Sequence, residues 1–140
     1  MNMSGFQVAV GLGCDRGTPL ATLQQALDEA LALAGAALAD VAAVASIDLK
    51  ADELGLLALA AQHGWVLTFY SPAQLAAVAV PNPSETVRKY TGTPSVSEAA
   101  ALLAAQAQLG GLLVEKHKSK GPDGKNATVS IARLALVDSF

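Results

Sequence analysis

The chain has 140 residues, 52% of them apolar and 4% aromatic, with a formal charge of −3 at pH 7. That length predicts one domain over residues 1–140, with a core large enough to need neither disulfide nor metal. The negative charge argues against nucleic acid as a partner, the single cysteine excludes an internal disulfide and fits a reducing cytoplasm, and no run reads as a membrane span or a leader peptide.

An apolar strand is expected over residues 7–12. It runs into Gly11-Leu12-Gly13-Cys14-Asp15-Arg16-Gly17-Thr18-Pro19, a glycine-bearing turn that opens a helix. Glycines let the chain turn tightly and let a ligand approach the main chain, and free N–H groups at a helix start point at an anion. Arg16 adds a permanent cation. Gly13, Cys14, Arg16, Gly17 and Thr18 are therefore candidate ligand-binding residues for a phosphate or carboxylate. The dinucleotide spacing G-x-G-x-x-G fails, because position 16 is arginine and the next glycine is Gly17; no Gly-Lys-Ser/Thr follows either. A plain tight strand-to-helix turn is the alternative reading. Cys14 is a candidate nucleophile if the helix start lowers its thiol pKa, or else a small buried turn residue.

The first helix is expected over 19–34, with Thr18 as N-cap and Pro19 at its first position. Leu20, Leu23, Leu27, Leu31 and Ala34 form its buried stripe, and Gly35 ends it. A second strand, alanine- and valine-rich over 41–47, reads as covered on both faces. Asp48-Leu49-Lys50-Ala51-Asp52 follows at the edge where ligands bind. Lys50 is a candidate carboxylate partner and Asp52 the expected cap of a helix over 53–63. Asp48 is a weak catalytic candidate. It also stands where a ribose-binding acid would lie, which keeps a nucleotide-binding domain open as an alternative.

A third strand is expected over 65–70, with Trp65 and Phe69 in the core. Three capping patterns follow: Ser71-Pro72-Ala73-Gln74, Asn82-Pro83-Ser84-Glu85 and Ser95-Val96-Ser97-Glu98, the last opening a helix to about 108. Strands over 112–118 and 128–135 flank Gly121-Pro122-Asp123-Gly124, a hairpin signal.

This order of elements predicts an α/β fold, a three-layer α/β/α sandwich around a mostly parallel five-stranded sheet with a C-terminal antiparallel hairpin. The expected strand order is 3-2-1-4-5, which puts the switch point between strands one and four, where such sheets bind ligands. Residues 13–18 and 116–120 would meet there. Lys116, Lys118 and Lys120 point one way along their strand, either into a site or outward as a solvated edge. His117 points the other way, as an acid/base or as an edge residue. Basic residues gather at such junctions, and none lies between Gly17 and Leu49, a pattern suited to a polyanionic small ligand. Two histidines and one cysteine so far apart give no zinc spacing, and no metal or cofactor is expected.

Five segments carry a resemblance: GLGCDRGTP at 11–19, SIDLKADELGL at 46–56, NPSETVRKYTGTPSVSEAAAL at 82–102, VEKHKSKG at 114–121 and ATVSIAR at 127–133. Together they resemble the CobE / CbiG C-terminal domain family of cobalamin (vitamin B12) biosynthesis, over nearly the whole chain. The resemblance implies a three-layer α/β domain acting on the corrin-ring pathway. Larger two-domain members open a lactone on a cobalt-precorrin and release a two-carbon fragment, and this chain resembles their C-terminal half, the stand-alone CobE form. Its implied guest is a precorrin, a tetrapyrrole with many carboxylate arms. Three roles follow: binding or processing that intermediate, hydrolysing its lactone with Cys14, His117 or Asp48, or docking on another cobalamin-pathway enzyme without catalysis. The family turn carries two basic residues after the cysteine; here Asp15 takes the first place and Arg16 the second.

Overall fold

A computed structural model describes residues 6–135; the outermost residues of the expected 1–140 domain lie outside that range. In chain order the elements are β1 (Val8–Cys14), α1 (Leu20–Ala34), β2 (Val41–Ile47), α2 (Leu54–His63), β3 (Leu67–Tyr70), α3 (Pro72–Ala76), α4 (Glu85–Thr91), α5 (Val96–Ala105), β4 (Leu112–Lys120) and β5 (Asn126–Arg133). Among the described residues no helix is long and apolar enough to cross a membrane.

The five strands form one sheet in the order β3-β2-β1-β5-β4. β1, β2 and β3 pair in parallel, while β5 runs antiparallel to both β1 and β4. The expected order therefore has its last two strands exchanged. The reason lies in their side chains. Val129, Ser130, Ile131 and Ala132 of β5 are all buried, as suits an interior strand. β4 carries Glu115, Lys116, Lys118 and Lys120, charges that blunt an exposed edge. The switch point accordingly lies between β1 and β5.

Alternation along β1 separates the two helical layers. Val8, Val10 and Leu12 pack on Leu23, Leu27 and Leu31 of α1 and on Leu56 and Leu59 of α2. Ala9 faces the other way, onto Ala101, Leu102 and Ala105 of α5. Gly11 shares that second face. A Cβ there would run into the Ser97 carbonyl and the Ala101 amide, so α5 lies almost backbone-to-backbone on the sheet. Gly11 and Gly13 are thus strand residues, Gly11 being the one that admits the helix, and the turn itself is confined to Asp15–Thr18, with Gly17 at φ 80°.

Several helix starts differ from expectation. Pro19 holds the cap position of α1 without a side-chain bond. Thr18 instead donates its hydroxyl to the Asp15 carbonyl at 2.7 Å, bracing the turn. Glu53, and not Asp52, precedes α2. Ser71 and Gln74 do form a reciprocal capping box. The cap of α4 is Ser84, which accepts from the Val87 N–H at 3.2 Å; Asn82 and Pro83 stay in the preceding loop. α5 ends at Ala105, where Gln106 turns left-handed at φ 55°. Trp65 precedes β3 and stacks on His63, ring centroids 4.5 Å apart.

Candidate functional site

The carboxyl ends of β1 and β2 open onto the same end of the sheet as the start of β5. There a cleft of about 610 Å³ lies between the sheet, the start of α5 and α4. Gly13, Cys14, Ile47 and Thr128 form its floor, Val96 and Ser97 one side, and Ser84, Thr86, Val87, Tyr90 and Thr91 of the α4 segment the opposite wall. Arg16, Lys50, Lys116 and Lys118 bring four cations to it, with Asp15 as the acidic lining residue. Of the two basic segments expected to meet, residues 13–16 of the first and Lys116 and Lys118 of the second line one cleft, because β4 runs parallel to β1 although β5 lies between them.

Not all the expected ligand residues reach the cleft. Gly17 and Thr18 lie behind it. The Gly17 N–H, expected to be free for a ligand, donates to Glu53 Oε1 at 2.6 Å. Glu53 is only 3% exposed and its other oxygen lies 3.0 Å from Arg16 and 3.9 Å from Lys50. The anion place of the turn is therefore filled by the chain's own carboxylate. Arg16 is committed further, to Asp52 at 2.8 Å and the Leu49 carbonyl at 3.0 Å. Asp15 does more than dilute the local positive charge: its carboxylate accepts the Asn126 N–H at 2.8 Å, tying the end of β1 to the start of β5.

The lysines of β4 are differently placed. Lys118 is exposed, and its ammonium makes no hydrogen bond or ion pair among the described residues. Lys116 is half-buried and donates to the Asn82 carbonyl at 3.0 Å. Burial lowers its pKa from the ordinary lysine value; the nearby Glu98 charge opposes that shift and Lys118 adds to it. These two ammoniums are the cations with the least internal competition from carboxylates.

The three catalytic candidates do not converge. Cys14 closes β1, well before α1 begins at Leu20, so the helix start does not activate it. Burial pushes its thiol up to about 11, with Lys50 only partly offsetting the effect. At pH 8 its alkylation by iodoacetamide should run about 10²-fold slower than that of a free cysteine. The rate should climb until about pH 11, and a plateau near neutrality would show an activated thiol instead. His117 sits on the opposite face of the sheet, 2.8 Å from Glu29 of α1. Asp48 opens a short 3₁₀ turn and is exposed outside the cleft. Among the described residues no group of histidine, cysteine, aspartate and glutamate is arranged to hold a metal.

Residues that sequence reasoning missed are the α4 wall, Asn126 and Thr128, and the buried Glu53 and Glu98. The signal available for the wall was a short helix between two serine caps, Ser84 and Ser95.

Comparison with known proteins places the chain in a family and matches its fold. The family model described as "Cobalamin synthesis G C-terminus" matches residues 8–132. A cobalt-precorrin-5A hydrolase of Priestia megaterium is 39% identical over 127 residues, covering 91% of this chain and 32% of that protein. The chain thus spans about a third of that relative's length. Protein CobE of Sinorhizobium sp is 42% identical over 104 residues, covering 73% of this chain and 68% of that protein. Among solved structures, CobE, a protein from the cobalamin biosynthetic pathway, superposes with a TM-score of 0.76 at 35% identity over 96% of this chain and 94% of its own. The cobalamin biosynthesis protein chiG of Agrobacterium tumefaciens gives 0.60 at 26% identity, over 88% and 96%.

Proposed function

The chain belongs to the cobalamin synthesis G C-terminal family, and from that membership we propose that its cleft holds a polycarboxylate precorrin intermediate of cobalamin biosynthesis. The observation that carries this reading is the placing of Lys116 and Lys118 on one wall of the cleft, with Lys50 and Arg16 across it. A macrocycle with several carboxylate arms meets cations on both sides. Each exposed pair contributes only about 0.2–1 kcal/mol, and partial burial beneath the ring strengthens those that form charge-assisted hydrogen bonds. Tyr90, 80% exposed on the α4 wall, offers an aromatic face to the ring.

Binding is favoured over hydrolysis. A nucleophile needs an activating base within reach. The Cys14 thiol stays protonated near neutrality, and His117 lies on the far side of the sheet, held by Glu29. Cobalt-precorrin-5A hydrolysis, the activity named for the Priestia relative, belongs to a protein about three times as long as the matched region. That length difference keeps a second reading in view, in which this domain docks on another cobalamin-pathway enzyme and presents the intermediate to it.

The test is titration of the protein with precorrin intermediates, read by visible absorbance at low and high salt. A spectral shift without turnover, weakening as salt rises, is expected. Turnover that Cys14→Ser abolishes would replace the binding reading with the hydrolase reading. No spectral change would leave docking as the function.

A further inference from the structure

Glu98 is fully buried in the first turn of α5, and four donors converge on its carboxylate. Oε1 accepts the Asn82 N–H at 3.2 Å and the Ser95 hydroxyl at 2.8 Å. Oε2 accepts Asn82 Nδ2 at 2.6 Å and the Lys116 N–H at 3.1 Å. The loop before α4, the start of α5 and the edge strand β4 therefore meet on one side chain. A buried carboxylate is costly unless its lone pairs are satisfied, and here the partners come from three separate segments.

The register of β4 makes the last contact informative. Pairing with β5 shifts between Val114 and His117, so Lys116 has no ladder partner to hold it. Glu98 takes its amide instead. At the same time Asn82, gripped by Glu98 through both its main chain and its side chain, receives the Lys116 ammonium on its carbonyl at 3.0 Å. Both ends of Lys116 thus depend on one carboxylate. The other charged groups nearby are Lys118, which faces the same cleft, and Glu115, which accepts Asn82 Nδ2 at 2.9 Å.

We infer that Glu98 is the positioning residue of the cleft: through Asn82 and through the main chain of Lys116 it sets where the Lys116 ammonium stands. It touches no ligand itself. Its effect on binding rests on the precorrin reading above, whereas its effect on Lys116 does not.

The experiment uses the full chain with lysines reductively methylated with carbon-13, the Lys116 resonance being assigned by its loss in Lys116→Arg. In Glu98→Gln the Lys116 signal should move to the position of solvent-exposed lysines while the Lys50 signal stays. If Glu98→Gln fails to fold by circular dichroism, Asn82→Ala, at an exposed loop residue, should move the signal in the same direction but less far, because alanine loses the Nδ2 bond to Glu98 and keeps the main-chain ones. An unmoved Lys116 signal in a folded variant overturns the inference. The ligand arm uses uroporphyrin, an octacarboxylate porphyrin. Asn82→Ala and Lys116→Met should each weaken binding about tenfold, and the double variant no more than Lys116→Met alone. Additive losses would show that Asn82 and its Glu98 anchor act on the fold and not through Lys116. If uroporphyrin fails to bind the unaltered protein, the ligand reading falls and the resonance shift alone decides the role of Glu98.

Discussion

Replacing Lys116 and Lys118 together by methionine should weaken binding of an anionic tetrapyrrole by about 10²-fold, the loss of two charge-assisted contacts of roughly 1.5 kcal/mol each. Stability should change little. Methionine keeps most of the apolar stem, β4 is an edge strand, and the substitution leaves the pairing of Lys118 with Thr128 intact. Arg16→Ala should do the reverse. Its guanidinium is spent on Asp52, Glu53 and the Leu49 carbonyl, so its removal loosens the turn around the buried Glu53 and costs the ligand less than loss of the two lysines. Isothermal titration and thermal melts of the two variants separate these effects. Equal losses of affinity would put the anion site back at the turn after β1.

Gly11→Ala should lower the melting temperature by about 10 °C, equivalent to roughly 3 kcal/mol of overpacking. The added methyl collides with backbone, the Ser97 carbonyl and the Ala101 amide, and backbone cannot swing aside as a side chain can. α5 must lift from the sheet along its whole contact with β1. The same change two positions along should be mild. A Cβ at Gly13 meets Thr128 Cβ at 3.8 Å and Val96 at 4.0 Å, ordinary contact distances, so Gly13→Ala should stay within about 1 kcal/mol. Differential scanning calorimetry on both variants decides it. Equal melting temperatures would mean that α5 does not sit against β1 as closely as the structure has it.

The layers were legible in the sequence because periodicity carries them. The leucine stripe of α1, the apolar β2 and the hairpin signal at Gly121–Gly124 each depend on local residues. Alternation along β4 also gave the facing of His117 against Lys116 and Lys118. The order of the last two strands was misread, although the contrast between a charged β4 and an apolar β5 was there to use. The turn after β1 was misread for a different reason. Its N–H groups looked free locally, but Gly17 is bound by Glu53, thirty-six positions away. The roles of Gly11 and Glu98 are likewise invisible without the packing of α5, since a strand glycine and a capping-box glutamate look the same whether or not a neighbouring backbone or loop closes on them. Thr18 and Asp52 carried good capping chemistry, yet Thr18 donates to the Asp15 carbonyl within its own turn and Asp52 accepts from the distant Arg16.

The central claim is that an anionic macrocycle sits in the cleft between β1, β4, α4 and the start of α5. Amide chemical-shift mapping with saturating uroporphyrin tests it most directly. The account predicts perturbations at Gly13, Cys14, Val87, Tyr90, Ser97, Lys116 and Thr128, which line the cleft, and unmoved signals at Gln25 and Glu29 of α1, the helix on the other face of the sheet. Shifts gathered on the α1 and α2 face, or none at all, would contradict it.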